Sequence, residues 1–418
     1  MPADRRTVLK AIALSAMASA TGCGGSERPV RVAVVWSGEE LLRFREVLAE
    51  FTDSEGWPVT VRSMGDDVDA LLSSQVARST VPDVAIIPRP GLVRQHASRL
   101  EPPSDWQASQ FPLAWRELIN VAGTDRGIWF KSAHKSLVWY RSEVLDSPPA
   151  DWAGWVQLSM ALRDSGHTPL ALGAADGWVL TDWFENVLLG VDADVYRGLA
   201  AGRASWRDEA VEETLTALGD FWIKPGMIAG GPERALLTQF EDAVTEVFHH
   251  RRAVMVAGAD FTGPVIERFS PGARHGRFPF PPVSGGAPVL VGGDVAVLLR
   301  PASDGGKKLR DWLASGAAAP IWARHGGFLS ANLNVPRDGF PEPYAELNDQ
   351  IRNSAIEFDL SDRLGGRLSG GEGRGLGAIL QEFLADLTPG RRGSGSDRAA
   401  VGRAVDHAVD RLAREAAQ

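Results

Sequence analysis

Trp178, Asp182, Trp183 and Glu185 bring two indoles and two carboxylates into one short stretch within residues 168–186. If Thr181 or Asp182 caps a helix there, Asp182 and Glu185 lie three apart on one face, next to both tryptophans. Carboxylates accept hydrogen bonds from hydroxyl groups, and an indole offers a broad apolar face that can stack on the C–H surface of a sugar ring. The same acids could serve only to complement the helix dipole. Paired carboxylates also raise the question of glycoside cleavage. That chemistry needs two carboxyl groups roughly 5 to 9.5 Å apart across the scissile bond. Asp182 and Glu185, side by side on one helix, approach from a single side, which argues against hydrolysis.

Three further clusters pair polar groups with aromatics or glycines. Trp129-Phe130-Lys131-Ser132-Ala133-His134 leads into Lys135-Ser136-Leu137-Val138-Trp139-Tyr140-Arg141, read as a polar loop entering a buried strand. Val291-Gly292-Gly293-Asp294 and Trp322-Ala323-Arg324-His325-Gly326-Gly327-Phe328-Leu329-Ser330 combine close backbone approach with charge or aromatic surface. Other chemistries find no support. There is no phosphate-binding Gly-x-x-x-x-Gly-Lys-[Ser/Thr] run, and Gly371–Gly377 lacks the dinucleotide spacing. The eight histidines form no His-Glu-x-x-His pair, and no Gly-x-Ser-x-Gly elbow occurs. The reading is of a protein with no cofactor, no metal and no catalytic residues.

The elements that must hold these groups alternate between strand and helix. Residues 29–35 form an apolar strand, and Trp36-Ser37-Gly38 turns into a helix over 39–54 with a periodic apolar stripe. A strand at 59–61, a helix at 67–79 and a strand at 82–87 follow, the pattern of a parallel sheet covered by helices. Ligands on such sheets sit beyond the carboxyl ends of the strands. Trp36 and the Pro88-Arg89-Pro90-Gly91 turn occupy those ends. Helices are expected at 152–165, 180–189, 209–221, 307–314 and 398–416, a strand at 289–299, and loops at 365–377 and 389–397.

With 418 residues the chain exceeds a single core and should form two lobes. Its net charge of −9 disfavours nucleic acid and anionic lipid surfaces as partners. Tryptophan outnumbers tyrosine 14 to 3, and at least half of these indoles are expected to fill cores. The N-terminus reads as an export signal over residues 1–22: Arg5-Arg6-Thr7-Val8-Leu9-Lys10, a short apolar run, then Thr21-Gly22-Cys23. The paired arginines resemble a twin-arginine signal. Cys23, the only cysteine, stands where a lipobox thiol is acylated, with 23–28 as tether. The expectation is a lipoprotein working outside the cytoplasmic membrane and anchored to it.

Taken in order, several blocks resemble the family 1 extracellular solute-binding proteins of bacterial ABC sugar importers, closest to the α-glucoside-type branch. They are Pro82-Asp83-Val84-Ala85-Ile86-Ile87-Pro88-Arg89-Pro90-Gly91, Lys135-Ser136-Leu137-Val138-Trp139-Tyr140, Gly177-Trp178 with Thr181-Asp182-Trp183-Phe184-Glu185, and Phe278-Pro279-Phe280-Pro281-Pro282. Gly293-Asp294, Gly326-Gly327-Phe328-Leu329-Ser330 and Phe358-Asp359-Leu360-Ser361-Asp362 complete the series. The resemblance implies an α/β, two-lobe, periplasmic-binding-protein-like clamshell (type II). Residues 29–138 and 291–335 would form lobe one, and 139–290 and 336–416 lobe two. It implies capture rather than catalysis. Trp36, Arg89 and Lys131 would reach from lobe one, and Trp178, Asp182, Trp183 and Glu185 from lobe two. Asp294, Trp322 and Phe328 would line the crossing region. The partners implied are a carbohydrate and the transmembrane subunits of an ABC permease, with the chain a monomer. Three departures bear on the ligand: Arg89 replaces the usual glutamine, Leu170 a tryptophan and Asp176 a threonine. Rival readings are an exported glycoside-processing enzyme and a ligand sensor on the same fold. Arg89 also leaves a charged ligand open.

Overall fold

The computed structural model describes residues 28–65, 72, 81–368, 375–393 and 395–418. The export signal, Cys23 and most of the expected helix at 67–79 lie outside the described residues. β1 (Val30–Val34) is followed by α1 (Gly38–Glu55), which buries Phe44, Val47, Leu48 and Phe51 along one stripe. β2 (Val59–Ser63) and β3 (Val84–Ile87) flank β1 on either side, both parallel to it, with Val32 opposite Val61 and Ala33 opposite Ala85. β3 is buried at all four positions, as a central strand covered on both faces must be.

The segment read as a polar loop is instead strand β4 (Ile128–His134), buried throughout. Most of its polar groups find partners inside, His134 Nδ1 excepted. The Ser132 amide donates to Leu329 O, Ser132 Oγ accepts from the Ala331 amide, and His134 Nε2 lies 2.9 Å from Gln350 Oε1. The chain then crosses at Lys135 and Ser136 into β5 (Leu137–Arg141). A helical layer follows: α2 (Trp152–Asp164), α3 (Gly177–Val191), α4 (Ala193–Ala200), α5 (Glu209–Trp222) and α6 (Phe240–Phe248). β6 (Met255–Ala257), α7 (Thr262–Phe269) and β7 (His275–Pro279) complete a second sheet, antiparallel in the order β7-β5-β6.

A second crossing leads to β8 (Val289–Leu299), whose eleven residues span the first sheet. Its first part pairs with β4 and its last part runs antiparallel to β3. The β4 register shifts between Asp294 and Val295, an irregularity of the kind that re-aims a side chain near a site. After α8 (Asp304–Ala314) and α9 (Ala319–Ala323) come α10 (Tyr344–Asn353) and β9 (Ile356–Phe358). β9 pairs in parallel with β8, so residues 356–358, assigned from sequence to the second lobe, belong to the first sheet. The Phe358 ring explains this, lying 6.0 and 5.1 Å from those of Trp115 and Trp129. The third crossing begins at α11 (Leu360–Arg363). α12 (Gly375–Asp386), which starts inside the expected 365–377 loop, and α13 (Asp397–Ala416) then pack on α3 and α5. The result is two α/β lobes joined by three crossings.

Candidate functional site

A cavity of about 590 Å³ opens between the lobes. One wall is the N-terminus of α1 with Trp322 of α9 and the Gly326-Gly327 turn. The other is built from the N-termini of α3 and α6 and from α7. α1 begins just past the carboxyl end of β1, which carries Ser37, Glu39, Glu40 and Arg43 into the cavity. α3 begins at Gly177, three residues before the sequence expectation, with Asp176 as its N-cap. The Asp176 carboxylate accepts from the Phe240 amide at 2.7 Å, tying the starts of α3 and α6 together.

That bond brings Trp178 and Phe240 to 4.9 Å between ring centroids, and Phe261 adds a third ring 5.8 Å from Trp178 and 5.6 Å from Phe240. Trp322 stands on the opposite wall, supported edge-on by Trp36 at 5.0 Å and by Phe328 at 5.3 Å. Gly326 and Gly327 both have positive φ, and a Cβ on Gly327 would come 3.2 Å from Phe261 Cα. Only glycine lets this turn approach the second lobe so closely.

The floor between these rings is charged. Lys131 of β4 places its ammonium 2.9 Å from Glu40 Oε1, and 5.3 and 5.6 Å from the ring centroids of Phe261 and Trp322. Burial pulls its pKa down, but Glu40, Asp294 and Asp260 outweigh that and raise it. Burial pushes Asp294 up to about 7 and Asp260 to about 6, partly offset in each by Lys131. Near neutrality Asp294 can therefore both donate and accept a hydrogen bond.

Sequence and structure part company over the rest of the set. Trp178 and Trp322 line the cavity, and the buried Lys131, with Asp294 close by, lies behind the lining residues Glu40, Phe261 and Trp322. Trp36 and Phe328 are buried one layer behind, where they hold Trp322. Trp183 faces the second-lobe core, stacked on Trp155 at 5.1 Å and 15°. Asp182 and Glu185 are interior to α3 and point into the crossings. Lys135 donates to Asp182 Oδ1 at 3.0 Å and to Asp359. Glu185 accepts from Tyr196 Oη at 2.7 Å and from the amides of Leu360 and Ser361, capping α11. Burial raises Asp182 to about 7 against the pull of Lys135 and raises Glu185 well above the carboxylate range. Arg89 lies 3.7 Å from Asp362 at the third crossing, so the case for a charged ligand built on it has no footing in the cavity. Conversely, Glu40, Phe240, Phe261 and Arg268 escaped the sequence reading, which named His325 only within its cluster. Glu40 was within reach of it, in the first helical turn after a strand end. Phe240 and Phe261 carry no local signal.

No protein-family model matches the chain. It is 29% identical over 382 residues to the osmoprotective compounds-binding protein GgtB of Synechocystis sp., covering 84% of this chain and 88% of that protein. It is 25% identical over 371 residues to the alpha-glucosides-binding periplasmic protein AglE of Rhizobium meliloti, covering 80% of each. Among solved structures it shares its fold with the bacterial solute receptor AcbH, at TM-score 0.73 and 16% identity over 92% of this chain and 98% of that one. Maltose-bound T. maritima MalE3 overlays at TM-score 0.70 with 17% identity, again over 92% and 98%. Two solute-binding relatives aligned over at least four-fifths of their length, and a two-lobe fold shared with solved receptors, agree with the resemblance of its sequence blocks to the family 1 extracellular solute-binding proteins.

Proposed function

We propose that the chain is the substrate-binding lipoprotein of an ABC importer, capturing a carbohydrate between its lobes and delivering it to a membrane permease. The observation that carries this reading is the cavity itself, with Trp178, Phe240 and Phe261 on one wall and Trp322 on the other. Opposed aromatic faces suit the two C–H surfaces of a sugar ring, and Glu40, Arg43 and Arg268 stand where ring hydroxyls would point. The relatives' cargoes, osmoprotective compounds in one and α-glucosides in the other, favour an α-glucoside or short oligosaccharide. Acylation at Cys23 would hold the receptor, a monomer in this reading, at the outer face of the cell membrane.

Capture needs no bond chemistry. A ligand that touches both walls binds the closed state more tightly than the open one, and that difference drives closure. A micromolar ligand supplies about 8 kcal/mol net of ordering costs. The carboxylates Asp182 and Glu185 are held by Lys135, Tyr196 and backbone amides, which speaks for a receptor and against a hydrolase. The test is thermal unfolding of the purified full chain with mono- and disaccharides, oligosaccharides, amino acids and polyamines. A midpoint that rises with the concentration of an α-linked glucoside supports the assignment. No shift with any sugar, but one with an amino acid or polyamine, overturns it.

A further inference from the structure

A second cavity, of about 580 Å³, lies in the second lobe and shares no lining residue with the cleft. The two are separated by α6: Thr245 faces the cleft and Glu246 the second cavity. Its floor is the segment around Leu170, which extends the second sheet by bridging Met255 and Ile228, with Ala171, Leu172 and Ala229 giving an apolar base. Two guanidinium groups stand at its edge. Arg252 is held by Glu246 at 3.0 Å. The guanidinium of Arg234, an exposed residue, has no hydrogen-bond or ion-pair partner among the described residues, yet its stem is placed: it lies across Gly230, whose φ is +70°, and a Cβ there would come 2.7 Å from Arg234 Cβ. The glycine therefore lets Arg234 lie flat and carry its charge to the cavity mouth.

The surroundings add to that charge. Arg252 ends the exposed run His249-His250-Arg251-Arg252 just before β6. The antiparallel register sets His275 of β7 against Arg141 of β5, whose amide donates to Val254 O. Arg141 is buried, and its Nε has no hydrogen-bond partner. Against these stand Glu143, 3.9 Å from Arg141, and Glu246. On a chain of net charge −9 this pole is locally basic, a distribution that total charge conceals.

We propose that this second cavity binds a phosphate-bearing anion, with Arg234 and Arg252 taking the phosphoryl oxygens and the apolar floor taking the carbon body. Guanidinium forks match phosphate geometry, and one already oriented by a carboxylate beside one without a partner forms a ready receptor for it. The phosphate can come from a free ester or from a lipid headgroup. The test is calorimetric titration of the full chain with glycerol 3-phosphate, alongside sedimentation with vesicles of phosphatidylglycerol or of phosphatidylcholine. Binding of the free ester, or of phosphatidylglycerol vesicles alone, supports the site and names its source. Arg234→Gln and Arg252→Gln are each expected to weaken that binding about tenfold or more. They should leave sugar binding intact, while the cleft variant Trp178→Ala should leave phosphate binding intact. Absence of binding to both probes at millimolar concentration, or binding unchanged in both arginine variants, overturns the proposal.

Discussion

Trp178 is half-buried against Phe240 and Phe261, with part of its surface on the cavity. Trp178→Ala is expected to cut affinity for the captured sugar about tenfold or more, since a stacked aromatic contributes on the order of 1 kcal/mol beyond its buried area. Titration calorimetry reads this directly, and an unchanged dissociation constant would remove Trp178 from the site. Asp294 offers a pH test. Burial raises its carboxyl from the ordinary 3.8 to about 7, so the folded state keeps its proton longer. Its contribution to stability is therefore greatest below about pH 4 and is lost as pH rises toward 7. His134 works in the opposite sense. Burial lowers it to about 4, so its contribution grows as pH rises toward 6.5. The informative quantity is thus the difference between variants. Urea unfolding of Asp294→Asn from pH 4.5 to 7.5 should show a shallower decline, or a steeper rise, than the parent. Identical slopes would contradict the burial argument. Of the residues singled out from sequence chemistry, Trp178 lines the cavity and Lys131 lies against Glu40, but Trp183 faces the second-lobe core, because Trp155 and Phe280, which bury it, are distant in the chain. Local spacing cannot report partners 28 and 97 positions away.

At the scale of elements, α3 serves two sites from one helix. Its first turn presents Trp178 to the cleft, and its next turns send Asp182 and Glu185 into the crossings. Lys135→Met would leave Asp182 and Asp359 buried without their cation, at a cost of about 3–5 kcal/mol. Urea denaturation measures it, and a loss below about 1 kcal/mol would make the network dispensable. Gly173 tests how the aromatic wall is held. A Cβ there would come 2.7 Å from Phe240 Cα and 2.9 Å from its nitrogen, both backbone atoms that cannot swing aside. Gly173→Ala is expected to cost about 1–3 kcal/mol and to weaken sugar binding with it. Stability lost without any change in affinity would show that Phe240 is not part of the wall. Elements were the most legible part of the sequence: α1, α2, α5, α13 and β8 fall within about two residues of the expected bounds, since each has a clear apolar period. β4 was missed in its polar half because burial of Lys131, Ser132 and His134 depends on partners elsewhere in the fold.

For the whole molecule, the two-lobe architecture predicts a change of shape with ligand. Small-angle scattering should show a smaller radius of gyration on adding the sugar that raises the unfolding midpoint, and no change with a sugar that does not. The tryptophan count misled less than it first suggests: 11 of the 14 are buried, Trp322 on the cavity wall among them, and Trp57, Trp106 and Trp178 are the more exposed. Composition announced two lobes, but not that β9 would return to the first sheet before α12 and α13 close the second. That return has a consequence during synthesis. The second lobe lacks α12 and α13 until residues 375–416 have been made, and α13 packs against α5, laid down nearly two hundred residues earlier. A nascent chain therefore carries an unfinished second lobe until α13 has left the ribosome to seal it.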